Sequence, residues 1–106
     1  MKKLIKTTTP NKFIEIELVY VKGGSSEYER RVNPRSYRLY IDVVTKKQID
    51  GYIMTESYPA DGMRLILSEP SRASKKAEAE AEALAEKIYL GYAQQIAAKN
   101  GLTLID

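Results

Sequence analysis

The sequence predicts an α+β fold in two layers: a four-stranded antiparallel meander followed by one long C-terminal helix packed on one face of the sheet. Three observations carry that expectation. Residues 71–100 are rich in good helix formers and show an apolar stripe at three-to-four spacing. Upstream, several segments alternate apolar and polar side chains with the period of a half-buried strand. Clusters of Gly, Pro, Asn, Asp and Ser punctuate them. The 106 residues are expected to form one domain, with a flexible basic arm (1–11), the sheet (12–68), the helix (71–100) and a tail (101–106).

In chain order, residues 1–11 read as a mobile terminus, with Lys2, Lys3 and Lys6 ahead of Thr-Thr-Thr-Pro-Asn. Lys12 to Lys22 alternates well: Ile14, Ile16, Leu18 and Tyr20 on one side, Phe13, Glu15, Glu17, Val19 and Val21 on the other. Gly23-Gly24-Ser25-Ser26 ends that strand. The charged stretch to Asn33-Pro34 reads as a flexible hairpin loop whose flanks, Tyr28 and Val32, extend the ladder.

Arg35 to Thr45 is the second strand, with Tyr37, Leu39, Ile41 and Val43 inward and Arg38, Tyr40, Asp42 and Val44 outward. Lys46-Lys47-Gln48 is expected to turn, and a third strand to run from Ile49 to Tyr58 with Asp50-Gly51 as a bulge. Pro59-Ala60-Asp61-Gly62 reads as a second turn, leading to a short strand from Met63 to Ser68 with Met63, Leu65 and Leu67 inward.

Between Ser74 and Lys99 there is no proline, and Gly91 is the only glycine. Ala81, Leu84, Ala85, Ile88, Tyr92 and Ile96 form the expected buried stripe, and Asn100-Gly101 the C-terminal cap. Ser71 and Ser74 are both candidate N-caps. A helix of roughly 40 Å outruns a nine-residue strand of roughly 30 Å. The Leu/Ile/Tyr half should therefore lie on the sheet, while the Ala/Glu half projects into solvent or packs on a partner helix. The tail Leu102-Thr103-Leu104-Ile105 is apolar and β-prone, suited to the core or to a sheet edge.

Composition narrows the chemistry. There is no cysteine and no histidine, which removes disulfides, thiolate metal sites, imidazole bases and nucleophile–histidine pairs. The expectation is a non-enzymatic protein with no cofactor and no metal. No stretch is long and apolar enough to span a membrane, and the lysine-rich start lacks the apolar run of a signal peptide, so a cytoplasmic location is expected. Net charge is +3, unevenly placed: residues 1–47 hold eleven Lys/Arg against five Asp/Glu, and residues 48–106 six against nine. A basic sheet half joined to an acidic helix half suits a surface that meets polyanions.

With the inner sets above, the uncovered sheet face would carry Phe13, Val19, Arg38, Tyr40, Tyr52, Met54, Tyr58, Arg64 and Ile66, too apolar for a face that meets only water. Two readings follow. In one, the face binds single-stranded nucleic acid: Arg35, Arg38 and Arg64 meet phosphates, Tyr40, Tyr52 and Tyr58 stack bases, and Lys46 and Lys47 add charge. In the other, the aromatic face and the Ala-rich helix half are interfaces of an assembly or protein-recognition module. Glu15, Glu17, Asp42 and Glu56 are expected on the same face and oppose phosphates. Ser71, Arg72, Ser74, Lys75 and Lys76 gather hydroxyls and cations around free helix N–H groups, which suits a phosphate. Pairing of the two lysines with Glu78, Glu80 and Glu82 explains them structurally.

From Lys12 to Asn100, the order of four strands then a helix, with a basic, tyrosine-bearing sheet, resembles the single-stranded nucleic-acid-binding modules of the PC4-like, Whirly and PUR families. The resemblance implies a homodimer that binds single-stranded DNA or RNA through its sheets.

Overall fold

The computed structural model describes residues 1–105, with the side chains at 59 and 60 excepted. The chain forms β1 (Lys2–Lys6), β2 (Lys12–Val21), α1 (Glu27–Val32), β3 (Ser36–Ile49), β4 (Tyr52–Ser68) and α2 (Lys75–Lys99). The strands make one antiparallel sheet in the order β1-β2-β3-β4, and α2 packs on one face. The α+β class and the meander are as expected, but the four strands are not the four expected ones.

The basic arm is strand β1 rather than a mobile terminus. Lys12 N–H donates to the Thr9 carbonyl at 3.2 Å, closing a turn with Pro10 second and Asn11 third at φ 65°. Proline then Asn at positive φ is what a type II turn requires. Met1 and Ile5 pack on the core, and Lys3 pairs with Glu86 of α2 at 3.1 Å. The expected loop after β2 holds the short helix α1 instead. Ser26 Oγ accepts from Glu29 N–H at 3.1 Å, and the Glu29 carboxylate accepts from Ser25 N–H and Oγ, both at 2.9 Å. Serine followed three residues later by glutamate is a helix-start signal, and it outweighs the flanking glycines.

The largest correction lies in β3 and β4. Lys46-Lys47-Gln48 do not turn; β3 continues to Ile49, and the reversal falls at Asp50 (φ 49°) and Gly51 (φ 83°). Two successive positive φ values define the two-residue hairpin turn whose twist matches the strands. β4 then runs through residues 59–62 without reversing. The ladder pairs Val43 with Tyr58 and Ile41 with Met63, so Asp42 alone faces four residues of β4. Gly62 makes this wide bulge possible, because a Cβ there would overlap the Ile41 carbonyl oxygen.

Helix α2 starts from Ser74, not Ser71: the Ser74 hydroxyl accepts from Ala77 N–H at 3.0 Å. Its end is a complete Schellman cap, with Leu102 N–H to the Ala97 carbonyl at 2.7 Å, Gly101 N–H to Ala98 at 3.1 Å, and Gly101 at φ 68°. The Ala/Glu half does not project into solvent. Ala81 and Ala85 are as deeply buried as Ala93, Ile96 and Ala97, because side chains this small let the first half of the helix lie close against the sheet. Leu84 falls off that face and is 38% exposed. Ile14, Ile16, Leu39, Ile41 and Val43 supply the floor. The tail pairs with the sheet edge and also packs on the core. Thr7 and Leu104 form a bridge, Ile105 N–H donates to the Lys6 carbonyl at 2.9 Å, and Leu102 and Leu104 rest on the apolar cluster.

Alanine at the helix–sheet contact sets the layer spacing, so enlarging it forces the layers apart. Ala85→Leu is expected to cost about 1–3 kcal/mol in urea unfolding followed by circular dichroism. Ala79→Leu, on the exposed side of α2, should stay within about 0.5 kcal/mol of the parent.

Candidate binding surfaces

The bulge at Asp42 decides which side chains share a face. A strand exposes alternate residues to opposite sides, and the three extra residues between Tyr58 and Met63 invert that alternation along β4. Beyond the bulge, Arg64 and Ile66 lie opposite Tyr40 and Arg38 and belong to the open face, as expected. Before it, Tyr58, Glu56, Met54 and Tyr52 lie opposite Val43, Thr45, Lys47 and Ile49 and belong to the helix-side face. Tyr52, Met54, Tyr58 and Glu56 are therefore not on the open face. The expectation failed because it counted parity straight through residues 59–62.

The open face brings together Phe13, Val19, Arg38, Tyr40, Lys46, Arg64 and Ile66. Strand β1 adds Lys2 opposite Glu17, Leu4 opposite Glu15, and Lys6 opposite Phe13. The aromatic rings here already have partners. The Arg64 guanidinium sits 4.1 Å from the Tyr40 ring centroid and 2.6 Å from Asp42 Oδ1, and Lys46 Nζ lies 5.4 Å from the Phe13 ring. Arg38 donates through Nε to the buried Ser36 Oγ at 2.8 Å. Lys2, Lys6, Arg38 and Lys46 make no ion pair among the described residues. This surface is a mosaic of both charge signs, basic in balance.

The helix-side face beyond the end of α2 is a second constellation. Lys12 Nζ donates to the buried Thr45 Oγ1 at 2.7 Å and lies 5.1 Å from the Tyr58 ring. Tyr58 donates its hydroxyl to Glu56 Oε2 at 2.7 Å, and Lys47 approaches the same oxygen at 3.5 Å. The Tyr58 hydroxyl, with the Lys47 charge second, holds the Glu56 carboxyl below the ordinary glutamate value. Asn100 donates to the Asp61 carbonyl at 3.2 Å, tying the bulge to the helix cap.

Past this point β3 and β4 leave the body as a two-stranded arm. Its tip exposes Ile49, Tyr52, Ile53 and Met54, with Tyr52 at 76% and Ile53 at 72%. Sequence reasoning missed this cluster because it placed the turn four residues early. The Asp50-Gly51 pair between Gln48-Ile49 and Tyr52-Ile53 was the signal that finds it.

The remaining candidates lie at the other end of the molecule. Arg35 precedes β3 and is half-buried. Ser71, Arg72, Ser74 and Lys75 are exposed around the start of α2, where the Ser74 hydroxyl is occupied by its own cap bond. Tyr20 and Tyr37 pack there with tilted rings, 45° between planes and 5.1 Å between centroids.

No family model, curated protein or solved structure matches this chain. Among the described residues, no helix is long and apolar enough to cross a membrane.

The Glu56 network generates a pH signature. A depressed folded-state value means that its stabilisation is present above the unfolded glutamate value and is lost as pH falls through the folded one. Carbon-detected NMR of the Glu56 carboxyl should give a midpoint below that of an unperturbed glutamate. Tyr58→Phe should raise it. An unchanged midpoint in that variant would remove the hydroxyl as the cause.

Proposed function

We propose that this protein is a non-catalytic interaction module that self-assembles through the β3–β4 arm. The observation that carries the reading is the exposed apolar tip. Four large apolar side chains crowd the end of a two-stranded projection, Ile49, Tyr52 and Met54 on its helix-side face and Ile53 on the open face, and its own strands have nothing further to bury them against. An isolated two-stranded ribbon is marginal in water, and large apolar side chains exposed on both of its faces mark contact with another surface. Burying side chains of this size is worth about 1.5–3 kcal/mol each. The cysteine-free composition is compatible with a reducing, cytoplasmic setting.

Light scattering tests the reading. The parent chain, 12.0 kDa as a monomer, should show a mass that rises to a discrete multiple with concentration. Ile53→Asp should weaken that association at least about tenfold, equivalent to 1.4 kcal/mol, while the circular dichroism spectrum is retained. A parent that stays monomeric at millimolar concentration sinks self-assembly.

A second reading is supported by the open sheet face, where Lys2, Lys6, Arg38 and Lys46 surround Phe13 and Tyr40. Single-stranded nucleic acid suits this surface, because cations track phosphates and rings or guanidinium planes stack bases. Glu15 and Glu17 oppose it. Affinity for a fluorescent single-stranded oligonucleotide should fall steeply as salt rises, and both Arg38→Ala and Tyr40→Ala should weaken it. Absence of binding at low salt excludes this reading.

A further inference from the structure

The two edges of the sheet are chemically unlike. The β1 edge carries Lys2, Lys3 and Lys6 within five residues, and the tail already occupies its far end through the Thr8–Thr103 and Lys6–Ile105 backbone bonds. Edge lysines and a covering segment are two of the ways in which sheets avoid pairing with a foreign strand. The β4 edge has neither device along the arm. From Tyr52 to Tyr58 it presents seven residues, four of them (Tyr52, Ile53, Thr55 and Tyr58) β-prone, with no lysine and no proline, and its one ionised side chain, Glu56, is matched by Lys47 of the neighbouring strand at 3.5 Å. Among the described residues no strand pairs with its outer side.

We infer that a second copy of this chain pairs its own Tyr52–Tyr58 segment antiparallel with this one, across a two-fold axis perpendicular to the sheet. The inference rests on the self-assembly reading and names its geometry. An edge of unpaired N–H and C=O groups accepts an extended chain rather than a helix or a loop surface. The occupant must also fit between the Asp50-Gly51 turn and the bulge at residues 59–62, and the same segment of a second copy has that length.

Charge decides between the edges. Two β4 arms bring together strands whose charges are internally balanced, whereas two β1 edges would oppose three lysines with three lysines. It also restricts the register. An axis through Glu56 would set two carboxylates directly opposite one another, which is unfavourable. An axis through Thr55, the midpoint, uses all seven residues and places Tyr52 opposite Tyr58 and Ile53 opposite Ser57. The result is an isologous, closed pair with one continuous sheet of eight strands, both helices on one side and both open faces on the other.

The chain has no cysteine of its own, so an introduced cysteine reports without background. Directly opposed residues of an antiparallel pair lie about 4.5–5.5 Å apart at Cα, within disulfide range. Under mild oxidation Thr55→Cys should cross-link to a dimer in high yield. Gln48→Cys, on the arm but on β3, and Leu4→Cys, on the β1 edge, should not. In the parent, amides between Tyr52 and Tyr58 should gain hydrogen-exchange protection as concentration rises. A dimeric mass with no Thr55 cross-link and no gain in protection leaves self-assembly standing and overturns edge pairing. A mixed Thr55–Leu4 cross-link, with mass growing beyond a dimer, overturns the two-fold arrangement. A persistent monomer defeats the self-assembly reading itself, and this geometry with it.

Discussion

One aspartate facing four residues of the next strand governs how this molecule presents itself. Strand alternation is unforgiving: an odd number of inserted residues moves every side chain before the insertion to the opposite side of the sheet. The three extra residues between Tyr58 and Met63 do this to the first half of β4. Without them Tyr52 and Tyr58 would join Tyr40 on the open face and make one aromatic surface. With them the tyrosines divide between two sides, and Tyr58 enters a network with Lys12, Glu56 and Lys47 at the base of the arm. Gly62 accommodates the tight approach, and the Asn100 amide fastens the bulge to the end of α2.

The helix depends on a different economy of space. A floor of isoleucine and leucine, with Ala85 and Ala93 fully buried above it, brings two layers together with almost no side chain between backbone and sheet. The glutamates of the first half of α2 then stay exposed, and Glu82 and Glu86 reach the amino group of Met1 and the Lys3 side chain of β1. An alanine-rich run therefore reads in two ways in a sequence. It either lacks the apolar bulk to bury, or it is small because something lies close. The closeness of the sheet beneath it decides, and composition alone does not show that.

Much of the fold was legible. Ile14, Ile16, Leu39 and Ile41 alternate cleanly, and Asn100-Gly101 caps the helix as its composition implies. The errors have physical causes that particular residues display. Thr9-Pro10-Asn11-Lys12 and Ser26-Glu27-Tyr28-Glu29 carry local signals, a type II turn and a helix start, which a charge-based reading passed over. The bulge had no such signal: Pro59-Ala60-Asp61-Gly62 has the composition of a reversal, and only the pairing partner shows that the chain continues. The open face was half legible for the same reason. Arg38, Tyr40 and Arg64 could be placed from their own strands, whereas Tyr52 and Tyr58 depended on the register of a neighbour.

The Asp50-Gly51 reversal also bears on how the chain reaches this state. A hairpin joined by two residues closes in about 1–10 μs, while contacts between distant parts of the chain wait on the slower closure of long loops. Thr7 meets Leu104 across almost the whole chain, so that seam is among the last to form. The local contacts of the ribbon, with its exposed apolar tip, thus close before the body that carries it is complete. Refolding from concentrated denaturant should consequently lose material to precipitation at early times, and dilution should recover it.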